Sequence, residues 1–322
     1  MAYVLEMAHL QPDQINLTYK ELVDGLTGID DKVTMNIANS IWYRQGFDVE
    51  QGFLAVNQQY YGAEVSALDF NSPDALNIIN GWVAEHTNNK IPGILNQINP
   101  EDVMFLINAI YFYGTWTKEF NPESTHEADF MLHDGSGRTV EMMALKDTMG
   151  YLENDLFQLA ELDYGRGNYS MVVLLPKYGL SAEELTAELS NSNWDNWISS
   201  ISQTELTLSL PKFTFGYEKK LNDILTLMGM GIAFDPWGAD FTGINANGGL
   251  YISLVKHKTY IEVTEEGTEA SAVTVVGVAL TTANPGPVTP VMTVDRPFLF
   301  AIREKTTNAI VFIGKVAEPK TE

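Results

Sequence analysis

Between Ala270 and Val294 the chain carries no charged residue, although charged residues make up 19% of its 322 positions. Read with a period of two, Thr268, Ala270, Ala272, Thr274, Val276 and Val278 form one uncharged, mostly small set that can face a protein core. Glu269 and Ser271 fall on the alternate set, and Val273, Val275, Val276 and Val278 are β-branched and favour extended backbone. Further on, Asn284-Pro285-Gly286-Pro287 and Pro290 remove ladder donors and break any regular element. A strand-competent segment is thus tied to an irregular stretch. After Pro297 only residues 298–302 and 309–316 read as strands, too little to bury a core of their own. They belong to the body that precedes the run, which argues against a linker between two domains.

At 45% hydrophobic the chain is ample for one large domain, 1–322. Its longest apolar run, residues 103–113, is interrupted by Asn108 and is about half the roughly 20 residues that span a bilayer. A soluble protein is expected, without a membrane partner, and no export signal is visible at the amino terminus. With no cysteine, disulfide and thiol chemistry are excluded. The formal net charge is −23, from 42 acidic against 19 basic residues. Nucleic acid and heparin-type polyanions therefore make poor partners, since both need a basic stripe. The amphipathic segment 12–26 has Lys20 as its single basic residue.

Helical patterning covers residues 14–26, 49–61 and 72–87, the last with Ser72 as cap, Pro73 at the first helical position and a stripe of Leu76, Ile79 and Val83. Strand patterning covers residues 33–43, 103–113, 169–175, 205–211 and 250–263. This mixed order predicts an α+β fold, with helices towards the amino-terminal side and large, largely antiparallel sheets. Residues 103–113 are apolar on both faces, as a strand buried on both sides would be. A buried Asn108 would need a partner, for which His257 in the strand 250–263 is the candidate.

Several segments together resemble the serpin family. Asn108 to Trp116 resembles its third strand of the central sheet, and His257 followed by Glu265, Gly267 and Thr268 resembles its fifth strand running into the hinge of a reactive-centre loop. Val294-Asp295-Arg296-Pro297-Phe298-Leu299-Phe300 is similar to the carboxy-terminal signature. Leu210-Pro211-Lys212-Phe213 and Gly238-Ala239-Asp240-Phe241-Thr242-Gly243-Ile244 fit as well.

The resemblance implies a serpin fold: a large central mixed β-sheet, further antiparallel sheets and an exposed reactive-centre loop. It also implies a suicide inhibitor of proteases, not an enzyme, whose loop is cleaved and inserts into the central sheet as a new strand. If about 15 residues gain ladder hydrogen bonds at roughly 1 kcal/mol each, insertion releases on the order of 10 kcal/mol before burial. Carried over, the hinge is Glu265, Glu266, Gly267, Thr268, Glu269, Ala270, Ser271, Ala272, Val273 and Thr274, with Val273 bulkier than the family's usual Ala or Thr. Asn108 and His257 would lie in the shutter beneath the sheet and Trp116 near the breach where insertion begins. Family spacing puts the reactive bond at Thr281-Thr282, or at Leu280-Thr281.

No Lys or Arg lies between Lys258 and Arg296, so proteases with a carboxylate in the specificity pocket have nothing to bind. Serine proteases with small or apolar pockets, elastase-like or subtilisin-like, suit Ala279, Leu280 and Thr281, and cysteine proteases remain open. The same resemblance implies a monomer, an extracellular or periplasmic setting and no cofactor or metal. Compared with the family, the chain lacks the first helices, about the first sixth, including the helix that packs under the central sheet. That loss would leave Asn108 and His257 short of partners. Other readings stay open: a non-inhibitory serpin acting as carrier or folding factor, an inactive fragment, or a metal-dependent hydrolase using His126, Glu127, Asp129, His133 and Asp134. Against the last, Asp134-Gly135-Ser136-Gly137 reads as a hairpin turn. Asn16-Leu-Thr18 and Asn168-Tyr-Ser170 fit the glycosylation pattern.

Overall fold

A computed structural model describes residues 10–268 and 289–320. Helix α1, Pro12–Leu26, begins two residues before the patterned segment because Pro12 occupies its first turn and Gln11 and Gln14 form a capping box. Strand β1, Val33–Arg44, is followed by α2, Gln51–Tyr61, which stops at Gly62 in the left-handed region (φ 59°). Next come β2, Glu64–Leu68, and α3, Ala75–His86. Ser72 does not cap α3. Its hydroxyl instead accepts the Asp74 N–H at 3.3 Å in a preceding turn, and the helix starts three residues later than its patterning suggests.

Strand β3 is Met104–Thr115, and β4, His126–Met131, turns into β5, Gly137–Glu153. The hairpin turn expected here is present: Asp134 Oδ1 accepts from the Ser136 N–H and hydroxyl, and Gly135 takes φ 82°. Strands β6, Phe157–Tyr164, and β7, Tyr169–Pro176, lead into α4, Ala182–Ala187, and α5, Asn191–Ser199. Then follow β8, Ser202–Pro211, β9, Phe213–Lys220, and a short α6, Asn222–Leu225. Strand β10 is Lys256–Val263, shorter than expected, since residues 250–255 are not in a strand. It is followed by β11, Gly267–Thr268, β12, Val291–Thr293, β13, Phe298–Glu304, and β14, Ile310–Val316.

One mixed sheet has the order β2-β1-β3-β11-β10-β9, with β1 and β2 parallel. The other strands form a single larger sheet, β12-β8-β5-β6-β7-β13-β14, in which β12 runs parallel to β8 and the remaining pairs are antiparallel. Its unity follows from β5, which holds β4 at one end, β6 at the other and β8 along most of its length.

The described residues divide into two compact units, the first built from the amino-terminal helix with Met35–Phe112 and Gly216–Tyr260. In it, Ile79, Trp82 and Val83 of α3 pack on Trp42 of β1 and on Ile107 and Ala109 of β3. That packing covers one face of β3 only. Leu106 is 60% exposed and Asn108 is exposed, so the expectation of a strand buried on both faces is corrected. The period of two sets 106 and 108 opposite to 107 and 109, and among the described residues no element covers them.

The second unit comprises Ile29–Thr34, Tyr113–Phe215 and the residues from Ile261 on. Every residue of β7 is buried, and Phe157, Leu159, Val172, Leu174 and Ala301 pack on Leu185 of α4 and Trp194 of α5. Arg303 and Glu161, both buried, pair at 2.6 Å, while Ser170 donates to the same carboxylate at 2.8 Å. These bonds satisfy charges that would otherwise be costly inside a sheet. Among the described helices none is long and apolar enough to cross a membrane.

Candidate loop-hinge site

At the end of β10 the chain makes a tight turn through Glu265 and Glu266. The Thr264 N–H donates to Gly267 O at 2.9 Å, and the chain returns as β11. Thr268 pairs with Val263 on one side, and Gly267 and Thr268 pair with Thr115 and Gly114 of β3 on the other. The first residues of the uncharged segment's face thus already run between two strands. Gly267 has φ 151°, and a Cβ there would stand 2.6 Å from Thr115 Cα, so glycine is required both for conformation and for space.

Five further residues hold the turn. The Trp116 N–H donates to Glu266 O at 2.8 Å and its indole N–H to Thr264 O at 2.9 Å. The Phe120 N–H donates to Glu265 O at 2.9 Å, and the Glu265 carboxylate accepts the Thr125 hydroxyl at 2.8 Å with Lys212 Nζ 3.3 Å away. Tyr164, fully buried, stacks on Trp116 with ring centres 4.4 Å apart, and its hydroxyl lies 2.6 Å from Thr268 Oγ1. Burial pushes the Tyr164 phenol far up, outweighing the opposing effect of the Thr268 hydrogen bond, so it stays protonated. Thr268 is itself 4% exposed, and its hydroxyl is satisfied inside the sheet.

Of the residues singled out in the sequence, Glu265, Glu266, Gly267, Thr268 and Trp116 come together here. Glu269, Ala270, Ser271, Ala272, Val273 and Thr274, and the bond residues Leu280, Thr281 and Thr282, lie outside the described residues. Asn108 and His257 do not meet: Asn108 Nδ2 donates to Asn39 Oδ1 at 2.9 Å, and both Asn108 and His257 are exposed. The reason is the face on which Asn108 stands, which leaves it beside β1 and its Asn39. Tyr164, Thr125 and Phe120 carried no signal in the sequence, because hydroxyls and amides gain their roles only through distant pairing. Lys212 lies in Leu210-Pro211-Lys212-Phe213, a segment whose sequence alone gives it no role.

The metal-ligand constellation is not assembled among the described residues. His126 Nδ1 faces Ser124 O at 3.1 Å, and among the described residues no three His, Asp or Glu side chains stand together as a metal ion would need. The glycosylation triplets are engaged otherwise: Asn16 Oδ1 accepts the Tyr61 hydroxyl, while Asn168 Nδ2 donates to Ile29 O and Ser170 is buried.

A mixed α+β protein in which Gly267 and Thr268, at the head of a long uncharged run of sequence, sit between two strands of a sheet is the class defined by this geometry. The chain belongs to the serpin family: the family model described as serpin (serine protease inhibitor) matches residues 1–319. Serpin B11 of Homo sapiens is 33% identical over 298 residues, 90% of this chain and 75% of that one. The leukocyte elastase inhibitor of Xenopus laevis is 34% identical over 295 residues, 88% and 77% of the two chains. Among solved structures, the thermophilic serpin tengpin in its native state superposes with TM-score 0.86 at 35% identity, covering 96% of this chain and 80% of that one. Thyroxine-binding globulin with thyroxine gives 0.84 at 27%, covering 96% and 82%, and native protease nexin-1 with heparin gives 0.85 at 28%, covering 99% and 85%. Members of the family are mostly protease inhibitors and generally not enzymes, and some, such as thyroxine-binding globulin, are not inhibitory.

Proposed function

We propose that this chain inhibits serine proteases by offering its loop as a substrate and inserting the cleaved loop into the β3/β10 side of its mixed sheet. The strand order β3-β11-β10 carries the reading, because it gives the loop a track already entered by Gly267 and Thr268. Small uncharged residues follow at Ala270, Ala272 and Thr274, which is what a buried strand face accepts. Cleavage at Leu280-Thr281 or Thr281-Thr282 transfers the acyl side of the bond to the protease nucleophile and releases the other side as an amine. Insertion then carries the acylated enzyme along.

The target is an elastase-like or subtilisin-like enzyme, because the loop offers small and apolar residues and no Lys or Arg. Similarity to a leukocyte elastase inhibitor is in keeping with that. The protein acts as a single-domain monomer outside the cytoplasm, and its net charge of −23 disfavours polyanion control although a similar structure holds heparin. A carrier role is the second reading, favoured by similarity to thyroxine-binding globulin. Incubation with elastase-like and subtilisin-like proteases, followed by a denaturing gel, separates the two. A band at the mass of the protease plus the amino-terminal fragment of the cleaved chain supports inhibition, and cleavage without such a band supports the carrier or an inactive chain.

A further inference from the structure

The loop-insertion reading leaves open what starts the insertion, and the described residues of the second unit hold a device suited to it. The turn through Glu265 and Glu266 is already made, and Thr268 already pairs on both sides. Ordering a turn costs conformational entropy for each residue fixed, so a preformed turn removes that cost from the insertion step. Its side chain that enters the sheet as a buried group with a polar end is Thr268, and an atom facing that end is the Tyr164 hydroxyl at 2.6 Å. Tyr164 cannot drift, because its ring is stacked on Trp116, and Trp116 is bonded through its indole to Thr264 and through its N–H to Glu266.

We infer that Tyr164 is a positioning residue for loop insertion: its buried hydroxyl receives Thr268, the first hinge side chain to enter the sheet, and holds the turn from which the remaining residues zip. The inference rests on the loop-insertion reading above. Its chemistry is asymmetric. Removing one hydroxyl strands the other in a dry site, whereas removing both leaves an apolar pair of nearly the same shape. Tyr164→Phe and Thr268→Val therefore each push the hinge out of the sheet, and the double variant lets it return.

The test is to cleave the loop with a protease that is not trapped and to follow the rate at which the cleaved chain gains resistance to heat. Tyr164→Phe and Thr268→Val are each expected to slow that gain by about three- to tenfold, as loss of one buried hydrogen bond implies. The double variant Tyr164→Phe with Thr268→Val is expected to recover most of the rate, which a merely structural role would not produce. Single variants at the wild-type rate, or a double variant slower than either single one, would overturn the inference. Should Tyr164→Phe fail to fold, Thr268→Ser and Thr268→Val decide: Ser keeping the rate and Val slowing it supports the role, and equal rates overturn it. A wild-type chain that gains no heat resistance overturns insertion itself and the inference with it. A wild-type gain with unchanged variants overturns only the role of Tyr164.

Discussion

Lys212 Nζ lies 3.3 Å from the Glu265 carboxylate at the point where β10 turns back into the sheet. With side-chain exposures of 22% and 12%, the pair is shielded enough to matter, and Thr125 adds a hydrogen bond to the same carboxylate. Glu265→Gln is expected to lower stability in a denaturant titration by about 1–3 kcal/mol. Glu265→Lys sets two ammonium groups against each other and costs more, and adding Lys212→Glu should recover part of the loss. Equal midpoints for wild type and Glu265→Lys would contradict the geometry.

Gly267 passes too close to Gly114 and Thr115 for any side chain. In Gly267→Ala the β11 pairing should open, and hydrogen exchange at the Trp116 amide, whose acceptor is Glu266 O, should accelerate. An alanine variant with native protection at Trp116 would show that the close approach is not needed.

A charge at Thr268 has no place to go, since the residue is 4% exposed and faces Tyr164. Burying an unpaired guanidinium costs several kcal/mol, so Thr268→Arg should keep the hinge out and turn an inhibitor into a substrate. Cleavage should proceed at the wild-type rate without trapped enzyme. A stable protease complex of Thr268→Arg would refute this.

Acid should weaken the chain through Glu304. Burial alone would raise this carboxyl, but hydrogen bonds from the Thr307 hydroxyl and from the Thr307 and Thr306 N–H groups hold it below the usual carboxylate range. Its folded-state value is thus below its unfolded one. The stabilisation is fully present above the unfolded value and is lost as pH falls through the folded one. Comparing denaturant midpoints at about pH 6 and about pH 3, Glu304→Gln should lose less stability than wild type. Identical losses would remove Glu304 from the account.

What the sequence made legible was local or short-period. The turn at Asp134–Ser136, the largely apolar β7 and the inward face of Thr268 could each be read from adjacent residues. Helix α5, built on Asn-Ser-Asn-Trp-Asp-Asn-Trp, could not, because its residues have modest helix propensity and it forms by burying Trp194 against the sheet. The long β5 is illegible for a related reason: Lys146, Asp147 and Thr148 break its apolar pattern, and its partner β8 is distant in sequence. Asn108 shows the limit most clearly. Its type demanded a partner, but only the pairing of strands decides that Asn39, and not His257, supplies one.

Inhibition by loop insertion is decided by the intact mass of the products formed with an elastase-like protease, with a trypsin-like one as control. A covalent one-to-one adduct of protease and cleaved chain is expected, with the bond broken at Leu280-Thr281 or Thr281-Thr282, and no adduct with the trypsin-like enzyme. Two cleaved fragments beside free, active elastase-like enzyme would contradict it.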